Sequence, residues 1–197
     1  MAKGVYAKVA GAWELISQPG TPVTLPAATG GTEATLTNPD GDGKNYKTHT
    51  FTADGSLVVT QAGKAKVLCV GPGATTSGNG NGGPVVLADI DLPVGTHVVK
   101  VGISATSEGL NDWTATRIGN LATGAVAKGA SDKGDGGVAA TANGVVSTIT
   151  GASHEYGAGG SRKATLTNSA DRYGIGGDPA IANRAGGGFV VVRYEVA

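Results

Sequence analysis

Residues 66–86, KVLCVGPGATTSGNGNGGPVV, set a short apolar strand directly before a glycine-rich loop. Nucleotide-binding proteins open a phosphate cradle in the same order, so that reading is tested first. A dinucleotide fingerprint needs Gly-x-Gly-x-x-Gly running into a helix whose first amides meet the pyrophosphate. Gly71 and Gly73 fit, but Thr76 stands at the third glycine position, and SGNGNGGP cannot start a helix. A P-loop would close on Gly-Lys-Ser/Thr, a tripeptide this loop lacks. The phosphate reading fails, and a steric one remains. Glycine accepts positive φ and lets backbones approach with no side chain between them. Ordering it costs about 0.5–1 kcal/mol per residue relative to alanine, so such a chain needs a strong β core, subunit contacts, or both.

Working outward, the flanks of the loop read as strands. YKTHTFT and SLVVTQ (46–52 and 56–61) surround Ala53-Asp54-Gly55, and Asp-Gly is a strong hairpin turn signal. Gly63 separates SLVVTQ from KAKVLCVG. Beyond the loop come PVVLADIDL, the turn Pro93-Val94-Gly95, and THVVKVGIS. TATRI and GVVSTIT are further candidate strands, and FVVVRYEV ends the chain. That last strand barely alternates at Val190-Val191-Val192, so it is expected inside a sheet covered on both faces. No stretch keeps an apolar period of 3.6 between helix caps, and almost no helix is expected. The expected fold is all-β: an antiparallel β-sandwich, jelly-roll-like, with long glycine-rich loops.

VYAKVAGAWELIS (5–17) reads as a small N-terminal β-hairpin turning at Ala10-Gly11. Residues 18–45 hold four of the eight prolines and read as a connector with one strand, EATLT. The domain division is therefore 1–45, hairpin plus connector, and 46–197, the glycine-rich β domain. ATLTN occurs at 34–38 and 164–168, and YGAGG (156–160) is echoed by YGIGG (173–177), a loop shape used twice.

Composition narrows the function classes. Glycine supplies 35 of 197 residues without a three-residue period, which excludes collagen. Lys plus Arg and Asp plus Glu balance at 15 each, so neither nucleic acid nor an anionic membrane is an expected partner. MAKGVYAKVAG has no apolar signal core, and no run approaches a membrane span; the chain is expected to be made in the cytoplasm and left soluble. Cys69, the only cysteine, reads as a buried small hydrophobe.

Candidate sites are few. Asp40 and Asp42 in NPDGDGKN open like a calcium loop, but Phe51 stands where its twelfth-position Glu belongs, so turns are the better reading. His49, His97 and His154 lack zinc spacing. Neither a cofactor nor a catalytic set is expected. Trp113, Tyr156 and Tyr173 border polar or glycine-rich loops, where aromatics can stack on sugar rings; covering the ends of the β core is the competing and favoured role. Lys128, Lys133, Arg162, Lys163, Arg172 and Arg184 read as a solvated or subunit-contact surface.

The order HTFTADGSLVVTQAGKAKVLCVGPGA, glycine loop, Pro-x-Gly turn before THVVKVG, glycine-rich middle and GGGFVVVRYEV resembles the glycine-rich domain of tailed-bacteriophage tail proteins. In that family a "tFtssGtltV" strand precedes "vlvVgGGGgG", and the chain ends in "GGsGiViiRY". Residues 46–197 follow this order. VYAKVAGAWELI is similar to short hairpins in small tail proteins of phages of actinobacterial hosts. The departure is that the longest glycine run here is three, Gly186 to Gly188, so ordinary β packing is expected in place of a stacked polyglycine core. The resemblance implies a virion structural protein, a minor tail, tail-tip or fibre component that is not an enzyme. Its partners would be other virion proteins and further copies of itself, as in a homotrimer, with the hairpin, including Tyr6 and Trp13, as the assembly segment. A capsid decoration or head-fibre protein and a host-glycan receptor-binding module are the alternatives.

Overall fold

The structure, a computed structural model, describes residues 25–73, 82–102, 116–121, 143–158, 174 and 187–197, with the backbone of 5–9 and 12–17. The described residues are all-β, with no helix among them. The first two strands, β1 (Val5–Val9) and β2 (Ala12–Ser17), form the expected N-terminal hairpin.

Five strands make the larger sheet: β4 (Thr32–Thr37), β5 (Asn45–Phe51), β7 (Gly63–Val70), β8 (Val85–Leu92) and β13 (Phe189–Val196), in the order β4-β5-β13-β7-β8. A four-stranded sheet runs β10-β9-β6-β3, from β3 (Ala27–Thr29), β6 (Gly55–Gln61), β9 (Gly95–Lys100) and β10 (Arg117–Ile118). A short hairpin joins β11 (Val145–Ser147) and β12 (His154–Tyr156). Every pairing is antiparallel.

The two large sheets share one hydrophobic core. Phe51, Val67, Cys69, Ile90, Val190 and Val192 enter it from the larger sheet; Ala28, Leu57, Val59, Val99 and Ile118 enter it from the smaller. A second cluster lies on the other face of the larger sheet, where Leu68, Val70, Phe189 and Val191 meet Ile149 and Tyr156 of the β11–β12 region. Hence β13 is central, is buried from Phe189 to Tyr194, and is apolar on both sides, as its unbroken valines require.

Two expectations need correcting. Ala53-Asp54-Gly55 does not close a hairpin: β5 pairs with β4 and β13, while β6 pairs with β3 and β9. The Asp54 carboxylate accepts from Val101 N–H at 2.8 Å and Lys100 Nζ at 2.6 Å, which ties the turn sideways to the end of β9. Phe51 and Leu57 then reach the same core from different sheets. A Cβ on Gly55 would lie 3.2 Å from the Phe51 ring, a tight contact that the ring would have to yield to. The chain changes sheet in the same way between β3 and β4, β6 and β7, and β8 and β9. Secondly, residues 25–45 supply β3 to one sheet and β4 to the other, so the two-sheet β domain includes strands that precede Tyr46.

Candidate functional site

At the end where β7, β9 and β12 finish and β8 and β13 begin, the chain converges with almost no side chains between its segments. Gly71 N–H donates to Pro84 O at 2.9 Å, Gly83 N–H to Gly174 O at 2.5 Å, and Gly174 N–H to Gly187 O at 2.9 Å. Gly188 N–H donates to Gly102 O at 2.7 Å, and Gly102 N–H to the Thr116 hydroxyl at 3.0 Å. The relay thus crosses from the five-stranded sheet to the four-stranded one. Buried N–H and C=O groups must be paired, and here segments far apart in sequence pair each other.

Only glycine fits at several of these positions. A Cβ on Gly82 would overlap the carbonyl oxygen of Gly157, one on Gly83 that of Gly71, and one on Gly188 the Thr116 hydroxyl. Gly157 and Gly174 also have φ of +70° and +67°, left-handed backbone that side chains disfavour. The opening loop is thereby explained. Its donors at Gly71 and Gly83 are spent on the protein's own carbonyls, and residues 71–73 continue beyond β7 without a helix. The expectation that bare backbones stack holds, although no long glycine run supplies them; single glycines from separate segments do.

Segments 74–81, 103–115, 159–173 and 175–186 lie outside the described residues, and the residues flanking each of them belong to this floor. Trp113 and Tyr173 fall in these segments. Tyr156 does not sit as a sugar platform would: its ring is fully enclosed and stacked on Phe189, with centroids 5.6 Å apart and planes at 16°. It props the floor from beneath, the packing role foreseen for loop-border aromatics. Tyr6 stands opposite Leu15, and Trp13 opposite Lys8, in the N-terminal hairpin.

Toward the other end the ties are side chains. His49 is wholly buried, with Nδ1 2.7 Å from Gly30 O and Nε2 2.9 Å from the Tyr194 hydroxyl. A carbonyl only accepts, so Nδ1 carries the proton and Nε2 of the neutral ring accepts from Tyr194. Ala28 N–H in turn donates to the Tyr194 oxygen at 3.0 Å. The triad clamps the β3–β4 corner onto β5 and β13. Burial pushes the His49 pKa below its ordinary value, against a smaller opposing pull from the Gly30 carbonyl and Glu33.

On the opposite face of β13, Arg193 is 5% exposed, bonds the Asp40 carboxylate, and stacks 4.0 Å above the Tyr46 ring. Asp42 accepts from Lys44 N–H at 3.0 Å and from the Tyr46 hydroxyl at 2.5 Å. The carboxylates of the calcium-like turn therefore serve to fold NPDGDGKN back over the sheet. A cleft of about 1040 Å³ opens at this end beside Pro26, Lys64, Asp91, Leu121 and Glu195; its charges are paired, Lys64 with Asp91 and Arg193 with Asp40 within the lining, and Glu195 with Lys44 outside it. Cys69 is buried, and burial pushes its thiol up to about 12, out of reach of thiolate chemistry at neutral pH.

Sequence reasoning missed the His49–Tyr194 clamp and the Arg193–Asp40 pair. Their signal was a lone arginine and tyrosine in the otherwise apolar FVVVRYEV, whose partners lie over a hundred residues away. No protein-family model, curated protein or solved structure matches the chain.

Proposed function

We propose that the protein is a structural component of a tailed-phage virion, a minor tail or tail-tip protein that presents a glycine-floored β domain. We further assign its two large sheets to a β-sandwich of the jelly-roll kind. The observation that carries the reading is the glycine floor: five hydrogen bonds join segments far apart in sequence into one base at the end of the two sheets. The order of parts in residues 46–197 matches that of the tail-protein domain it resembles. The polar side chains described above are committed to structural ties, which suits a scaffold better than a catalyst. Gold-labelled antibody on purified phage particles tests the reading. Label at the tail tip supports it; label on the head moves the protein to a capsid decoration; absence from particles overturns it.

A host-glycan module on the same floor is the second reading. Tyr173 immediately precedes the floor residue Gly174, and Trp113 lies three residues before Thr116. Alanine at either is then expected to weaken binding to host cells without lowering the melting temperature; loss of both together assigns the aromatic to packing.

A further inference from the structure

Each edge strand of a sheet leaves one row of N–H and C=O groups outside its ladder, and β proteins guard such rows with short strands or charge. Of the four edges of the two large sheets, β3 and β10 span three and two residues. Strand β8 spans eight, but Asp89 and Asp91 stand on one face of it and, although Lys66 and Lys64 lie beside them, stay 83% and 81% exposed, against 35% for Glu33 of β4. Two copies paired there would gather four carboxylates on one face. Neither guard protects β4, TEATLT. It is six residues long and largely exposed, and its one charge, Glu33, is drawn back onto its own subunit by Lys47 Nζ at 2.6 Å and Gly30 N–H at 3.1 Å. Among the described residues its ladder partner is β5 alone.

We propose that β4 is a self-association edge whose occupant is β4 of a second copy of this chain, antiparallel about a two-fold axis through Ala34. That register sets Ala34 against Ala34, Thr32 against Leu36 and Glu33 against Thr35, so like charges never stand directly opposite. The five-stranded sheet becomes continuous across both copies. Six residues a side make a small interface, below about 1,200 Å², and the dissociation constant is expected in the micromolar range. The inference rests on the edge geometry and holds or fails independently of any place on a virion.

Sedimentation velocity on the full chain, over a concentration series reaching the high micromolar range, tests it. The wild type is expected to pass from monomer to dimer. Ala34→Glu and Ala34→Lys each set like charges face to face on the axis, and each is expected to weaken association about tenfold or more. An equimolar mixture of the two restores the dimer as a heterodimer. Ala34 is exposed, and matching thermal melts establish that the variants fold. A second pair at exposed Thr35 reads the same register. Thr35→Glu meets Glu33 of the partner subunit and dissociates the dimer, whereas Thr35→Lys keeps it. A wild type that stays monomeric, a dimer or polymer indifferent to charge at residue 34, or a mixture that fails to reassociate overturns the proposal.

Discussion

The glycine floor and the clamped end solve one problem, tying distant segments of the chain together, by opposite chemistry. At the floor, backbone meets backbone: Gly83 reaches Gly174, which reaches Gly187, with no charge involved. At the clamped end, side chains do the work: His49 with Tyr194, Arg193 with Asp40, Lys44 with Glu195. The first arrangement gains close approach at the cost of tolerance, since a carbon added at Gly82, Gly83 or Gly157 collides with backbone that cannot move aside. The second tolerates change in size but depends on protonation and pairing. The floor should therefore be indifferent to pH and intolerant of added bulk, and the clamp sensitive to pH and to the loss of a partner.

The sharpest break in that contrast comes from one methyl group. Gly83→Ala places its Cβ against the Gly71 carbonyl and is expected to cost about 3 kcal/mol or more, read as a drop in the urea midpoint. Gly41→Ala is its control. Gly41 has φ of +72° but open space around it, so it bears only the left-handed backbone penalty, about 1–2 kcal/mol. A loss at Gly83 no larger than that at Gly41 would mean that crowding does not explain the floor, since Gly83 has no left-handed backbone to strain.

Next in size is Tyr194→Phe, which strips His49 Nε2 of its donor and Ala28 N–H of its acceptor in a buried site. A loss of about 1–3 kcal/mol is expected by the same measurement, and a neutral result would remove the clamp from the argument.

The pH response is smaller and has a definite sign. Burial holds the His49 pKa below 6.5, so the unfolded chain binds a proton that the folded chain resists. Stability from this site is fully present above that value and declines as pH falls below it toward the lowered folded pKa. Urea midpoints taken between about pH 5 and 8 should show the slope, and His49→Gln should flatten it. The smallest effect is expected at Lys64–Asp91, each partner 81% exposed, where Lys64→Ala should leave the midpoint unmoved.

Much of this was legible along the chain. Strand after strand in β5 to β9 and β13 stands where alternation, β-branched residues and Gly or Pro punctuation placed it, and the double burial of β13 followed from Val190-Val191-Val192. The Asp54-Gly55 corner was misread because a hairpin and a change of sheet have the same local signature; a carboxylate bond to Val101, 47 residues on, decides between them. EATLT stands as β4, where the sequence placed a strand, but proline and glycine in 18–45 hid β3 and the fact that both strands pair into the sheets, with β6 and β5.

Sequence alone determined that the described residues are all-β and where β4 to β9 and β13 run, because alternation and turn chemistry act between near neighbours. Tertiary structure decided which sheet each strand joins, which glycines admit no side chain, and that His49, Tyr194 and Arg193 are structural ties. Those outcomes depend on contacts between residues far apart in the chain, and no local pattern encodes which distant backbone will lie a few ångströms away.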